Sequence, residues 1–322
     1  MNKRRTLLAG GVAATMLMAT RQAWAAWPDR PVRFVVPFAA GGAADVMGRL
    51  VATHLSEHLG VPVVVENKPG ASTLIGGEYV VRSRPDGYML LLGTSSMALL
   101  VLRKQGSTID MRKDLAPVMA FAESVYGIMA SSSTPFKTLA DLIAYAKANP
   151  DKVTYGIPGT GTTPHLVGEY LNSASGIKTM AVPYKSGNPM VVGLMGGEIM
   201  VGIDTVGASN ALIHEGKIRL LATTGAQRSS LFPDVPTVSE TLPGFVARGL
   251  TGVMATPGTP PDIVDKLNQA MAAVVAKPDV RKGLAALSLN PVTTTPAQYR
   301  KFIAGEVDMW AGVMRESGLV IE

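Results

Sequence analysis

The chain of 322 residues has no cysteine, and only 4 histidines and 3 tryptophans. Without cysteine there is no disulfide, no thiolate nucleophile and no cysteine-bearing metal site. Charged residues make up 17% of the chain and, beyond residues 1–25, its lysines and arginines do not gather into a block, which removes the electrostatic footprint of a nucleic-acid partner. No H-E-x-x-H occurs: His54 and His58 share an i, i+4 spacing, but late in a helical stretch rather than at a loop. No G-x-S-x-G elbow occurs, so an α/β-hydrolase triad would lack its nucleophile. Beyond the first residues no apolar run is long enough, unbroken by charge or glycine, to span a bilayer.

Residues 1–25 read as a cleaved export leader. "NKRR" is a basic n-region, "TLLAGGVAATMLMAT" an apolar stretch, and Ala23-Trp24-Ala25 an A-x-A cleavage pattern. Arg4-Arg5-Thr6-Leu7-Leu8 resembles a twin-arginine signal, so the general secretory and twin-arginine routes both stay open. The leader holds Lys3, Arg4, Arg5 and Arg21 and no acid, so the formal charge of +6 falls by four to +2 on cleavage.

What is present is alternation. "VRFVVPF" is followed by a helical stretch from 43 to about 59, then by "VPVVVEN", a helix through 79–82 and "YMLLLGT". Further on, "LADLIAYAKANP" (capped by Thr138), "KVTYGIPG", a helix from Pro164, "TMAVPY", "EIMVGIDT" and "IRLLATT" continue the rhythm. This pattern predicts βαβ units on largely parallel sheets, with ligands at the carboxyl ends of strands. Three strands run into small or glycine-rich loops, at 38–44, 93–96 and 156–165. The first and third feed helix N-termini, where backbone N–H groups and the dipole favour an anion. Neither 38–45 nor 156–165 contains Lys or Arg. For Gly93 and Ser96 the plainer reading is turn-shaping. Glu66, about 24 residues after Gly42, stands near the place of a ribose-binding acid, so an exported dinucleotide-dependent oxidoreductase is an alternative. Against it, the loop reads G-G-A-A-D rather than G-x-G-x-x-G, and Pro37 precedes it.

The segments "PFAAGGAADVMGR", "VVVENKPGA", "GEYVVRSRPDGYMLLLG", "GTGTTPHLVGEYL", "VPYKSGNPMVVGLMGGEIMVGID" and "GKIRLLATTGAQRSSLFPDVPTVSE" together resemble the tripartite tricarboxylate transporter receptors, the Bug family of periplasmic solute-binding proteins. The resemblance covers nearly all of the chain beyond the leader. It implies an α/β, type II periplasmic-binding-protein fold, two α/β lobes with a ligand cleft between them. Residues 27–125 and 226–322 would form lobe 1 and 126–225 lobe 2, with hinges at "AESVYGI" and "TTGAQRS". A monomer would hold one small carboxylate, without cofactor, metal or catalysis, and deliver it to integral-membrane transporter subunits. A receptor presenting to a signalling partner uses the same cleft and stays open.

Carried over by residue, the first pincer is Phe38, Ala39, Ala40, Gly41, Gly42, Ala43 and Ala44, with Phe38 as an apolar wall. The second is Gly159, Thr160, Gly161, Thr162 and Thr163, whose hydroxyls can donate to a carboxylate. Thr94 and Ser95 would line the cleft, and Asp204 would accept from a water or from a ligand hydroxyl or ammonium group. The family often reads Gly-Ser before its His where this chain has Thr162-Thr163-Pro164, which leaves the ligand unnamed. Asp45 and Arg49 read as an i, i+4 support pair, and His165 as a helix-start residue bonding to backbone. Tyr184 is left open between facing the cleft and packing beneath it, and Lys68 and Lys185 are the cations nearest in sequence.

Overall fold

The computed structural model describes residues 27–229 and 231–321, so the leader lies outside the described residues. Strands β1 (Val32–Val36), β2 (Val63–Asn67) and β3 (Met89–Thr94) pair in parallel, with β1 between the other two. Helix α1 (Ala43–Leu59) crosses from β1 to β2 and buries Met47, Val51 and Leu55, one residue per turn on one face. Side chains of β1 alternate as a strand requires: Val32, Phe34 and Val36 join the core under α1, while Val35 joins the core on the opposite face.

The remaining helices are α2 (Leu74–Val81), α3 (Ser95–Ala98), α4 (Leu139–Ala148), α5 (Thr163–Ser175), α6 (Gly187–Gly196), α7 (Asn210–His214), α8 (Pro261–Ala276), α9 (Pro278–Ala286) and α10 (Pro296–Ser317). The remaining strands are β4 (Ala116–Ser131), β5 (Thr154–Ile157), β6 (Met180–Pro183), β7 (Val201–Thr205), β8 (Ile218–Thr223), β9 (Arg248–Ala255) and β10 (Asn290–Pro291). They connect in the order β2-β1-β3-β9-β4-β7-β5-β6, with β8 and β10 each pairing with β4 off that path. The parallel expectation holds among β1–β3 and among β5–β7. The centre departs from it, because β9 runs antiparallel to β3 and β4, and β4 runs antiparallel to β7 and β8.

Strand β4 explains the departure. It is 16 residues long and buried over almost its whole length, so it shows no apolar-polar alternation. It pairs with β9 as far as Val125 opposite Arg248, then with β7 from Tyr126 opposite Thr205, without leaving the extended conformation. The segment 122–128 is therefore strand throughout. Beside the exchange, buried Thr224 accepts the Tyr126 N–H at 2.9 Å and donates to the Ala247 carbonyl at 2.5 Å. Helix α8 packs on α1 and β4, while α10 packs on β4 and α5. There Trp310 and Phe245 enclose Tyr170, which stacks on Phe245 at 4.1 Å. No helix among the described residues is long and apolar enough to cross a membrane.

Candidate ligand-binding cleft

Strand β1 ends at Pro37, and the loop to α1 is tied by Asp45. Its Oδ2 accepts the Gly41 N–H at 2.9 Å and Arg49 Nε at 3.0 Å, and its Oδ1 accepts from Asn67 Nδ2 at 2.9 Å. Asn67 Nδ2 also reaches the Phe38 carbonyl at 3.1 Å. Hydrogen bonds from Arg49, Gly41 and Asn67 hold the Asp45 carboxyl down at about 2. The pair is thus structural, and the Gly41 amide is already engaged inside its own loop.

The loop from β5 to α5 has the same economy. Thr162 Oγ1 donates to the Gly159 carbonyl at 2.8 Å, and the Gly161 N–H donates to His165 Nδ1 at 3.1 Å. Gly159 and Gly161 both have positive φ, at 134° and 74°, which only glycine adopts freely. Burial holds His165 below the ordinary histidine range, opposed by Glu169, whose Oε1 lies 4.0 Å from Nε2.

A cavity of about 430 Å³ opens where these loops face β3, β4, β7 and β9. Of the residues chosen from sequence, Phe38, Ala43, Ala44, Thr94, Ser95, Thr162, Thr163 and Asp204 line it. A second chamber of about 190 Å³ shares Phe38, Ser96, Thr162 and Thr163 with the first and adds Thr160, Gly161 and Arg103. Ala39, Ala40, Gly41, Gly42 and Gly159 line neither chamber. Lys68 is engaged by Glu66 at 2.9 Å and by the Tyr79 ring, and exposed Lys185 lines neither chamber. Glu66 also meets Arg33 at 2.6 Å. Tyr184 packs against the Met190 and Leu194 cluster.

The large chamber sets hydroxyls and one buried carboxyl, Asp204, among apolar side chains, with no Lys or Arg in its lining. Ser124 and Tyr126 of β4 and Gly249 of β9 enter it, though nothing in their local sequence marks them. A Cβ on Gly249 would stand 2.8 Å from Ser124 Oγ and 3.0 Å from the Tyr126 hydroxyl, so glycine lets the strand approach this cluster. Thr163 Oγ1 is buried beside the Tyr126 hydroxyl and makes no well-formed hydrogen bond. Burial raises the Asp204 carboxyl, against the pull of the Thr205 N–H at 2.7 Å. A Cβ on Gly187 would collide with Asp204 Oδ2, which places the start of α6 against that oxygen. Arg103 reaches Ser72 Oγ at 3.1 Å on the wall of the small chamber.

Two α/β halves around a cleft of this kind define a type II periplasmic-binding-protein architecture. The tripartite tricarboxylate transporter family receptor model matches residues 47–319. Protein BugT of Bordetella pertussis is 37% identical over 322 residues, covering 99% of each chain. A TctC solute binding protein from Polaromonas, solved with no ligand, superposes with a TM-score of 0.84 at 28% identity, over 90% of this chain and 99% of that one. Rpa4515 of R. palustris, solved with adipate, superposes with a TM-score of 0.76 at 33% identity, over 92% and 100%. The chain belongs to the tripartite tricarboxylate transporter receptor family.

Proposed function

We propose that this protein is a periplasmic receptor that captures a small organic dicarboxylate, closes over it and presents it to a membrane transporter. The observation that carries the reading is the pair of neighbouring chambers with shared lining residues, one rich in hydroxyls and the other bearing Arg103. A chamber of about 430 Å³ lies in the size range of small-molecule sites. One carboxylate accepts from Thr163 and lies against Ser95, whose side chains are both buried and therefore held in place. The second carboxylate extends toward Arg103. The adipate in Rpa4515 supports a ligand of this class.

Residues 27–125 with 226–322 act as one lobe and 126–225 as the other. Thr94 and Ser95 then face Thr162, Thr163 and Asp204 across the cleft, and a ligand bridges both sets only when they are close. Binding shifts the population toward the closed form because only that form offers every contact. The family supports delivery to a transporter, and the leader supports export. His165 accepts from the loop backbone, and the reading is of binding without catalysis.

Titration calorimetry with adipate, together with solution scattering, tests this. Saturable binding with a smaller radius of gyration is expected. Absence of binding across aliphatic di- and tricarboxylates, aromatic acids and acidic amino acids overturns the reading.

A further inference from the structure

Behind the large chamber, α10 places Glu306 against Ser95. Glu306 is 5% exposed, and its Oε2 accepts from Ser95 Oγ at 2.7 Å. Its Oε1 is buried without a well-formed hydrogen bond. Ser95, itself 7% exposed, accepts the Leu250 N–H at 2.8 Å and lines the chamber. A hydroxyl has one proton and two lone pairs. With Glu306 charged, that proton is turned away from the ligand and only a lone pair remains for the cleft.

We infer that Glu306 makes carboxylate capture proton-linked: its protonation reverses the Ser95–Glu306 hydrogen bond and frees the Ser95 hydroxyl proton for the ligand. This rests on the carboxylate-receptor reading above. A protonated Glu306 donates to Ser95 Oγ, and the freed Ser95 proton seeks another acceptor. The Leu250 carbonyl stands 3.5 Å away, a poor distance, so a ligand carboxylate in the chamber is the better partner. The balance in the large chamber is one carboxylate and one proton taken up together, with no net charge added to a lining that has no cation, while the second carboxylate meets Arg103. Glu306 is a positioning residue, acting on the ligand through Ser95.

The groups around Glu306 fit a carboxyl that changes state near neutrality. From α3 comes Ser95, from β4 the Tyr126 phenol, from β9 Arg248, and from its own helix Trp310 and the Tyr299 phenol. Lys301 shares with Glu306 and Arg248 the lining of a pocket on the far side. Arg248 is drawn to Glu123 at 2.7 Å, which weakens its hold on Glu306. Burial pushes the Glu306 carboxyl up to about 7, against Ser95, Trp310 and Arg248, which favour the charged form. Asp204, a raised carboxyl that lines the chamber itself, starts from the lower aspartate value.

The test is calorimetric titration of the full chain with adipate at several pH values, in buffers of different ionisation enthalpy. From about pH 6 to pH 8.5 the affinity is expected to fall about tenfold, within the usual range of site-to-site coupling, with proton uptake greatest just above neutrality. Glu306→Gln, whose amide donates to Ser95 as the protonated acid does, should keep the acid-side affinity and lose the pH step. Ser95→Ala should also lose the step, at the weaker affinity. Asp204→Asn should keep it. Binding by the unaltered protein that is flat across this range, or a step that survives Glu306→Gln or vanishes in Asp204→Asn, overturns the linkage alone. No heat from adipate or any other organic acid at any pH overturns the receptor reading and the linkage with it.

Discussion

The backbone N–H of Gly161 donates to Nδ1 of His165, so the imidazole serves its loop as an acceptor and keeps its proton on Nε2. Protonating Nδ1 breaks that bond. Because burial lowers the folded pKa below the unfolded value near ~6.5, the ring contributes stability above that value and loses it as pH falls through the folded one. Thermal unfolding at pH 8 and pH 5 should therefore show a smaller acid loss for His165→Ala than for the unaltered chain. At pH 8 the variant should be weaker by about 1 kcal/mol, the worth of one hydrogen bond. Equal acid losses in both proteins would remove His165 from the loop's pH response.

Adjacent threonines should behave differently. Thr162 spends its proton on the Gly159 carbonyl, whereas Thr163 Oγ1 is buried with no well-formed partner and borders both chambers. Thr163→Val is expected to weaken adipate binding about tenfold while leaving unfolding unchanged or slightly raised, since it removes a poorly satisfied buried hydroxyl. Thr162→Val should cost about 1 kcal/mol of stability through its loop and affect binding less. Calorimetry and thermal melts on the two variants decide the matter, and identical behaviour would show that both hydroxyls serve the same end.

Arg103 supplies a cation to the small chamber that no residue of the two glycine loops provides. If it meets a second carboxylate, Arg103→Met should weaken adipate by about tenfold or more and leave hexanoate nearly unchanged, because a charge-assisted hydrogen bond is worth about 1.5–3 kcal/mol. Equal effects on the two acids, measured by competition, would assign Arg103 to its contact with Ser72 instead.

Thr224 holds the place where β4 changes partners. Thr224→Val preserves volume but strands the buried Tyr126 N–H and Ala247 carbonyl, and such losses cost about 1–3 kcal/mol each. Urea unfolding should show a lower midpoint by that order. An unchanged midpoint would mean that the strand exchange relaxes around the substitution.

The parts of this protein legible in its sequence are those built by neighbours along the chain. Helix α1 spans 43–59 as read, although Val46 on the recurring apolar positions is exposed and the buried face runs through Met47, Val51 and Leu55. Thr138 closes a capping box with Asp141 at the start of α4. The glycine loops fall at strand ends. Illegible were the groups that the topology delivers from afar: Gly249 from β9, Arg103 beyond α3, and Glu306 from α10, which is 211 positions away from its partner Ser95. Tyr126 was hidden for another reason, since a strand covered on both faces lacks the alternation that announces a strand. The glycine run at 41–42 suggested amides free for an anion, and the pattern could not reveal that Asp45, four positions on, accepts from Gly41 first.

Strand β4 serves both halves with one unbroken backbone, and beyond its two register shifts against β9, at 117–119 and 120–122, its side chains change face with every residue. An insertion or deletion of one residue between positions 122 and 128 would therefore reach beyond the crossover itself. If β9 kept its register, every later side chain of β4 would turn over against β7 and β8; if those strands kept theirs, the error would fall on β9. Either way one half would present the wrong face to its core. This crossing segment can change in composition but hardly in length, and a graft of one half onto a relative must match the count of residues from 116 to 131 before it matches any side chain in the cleft.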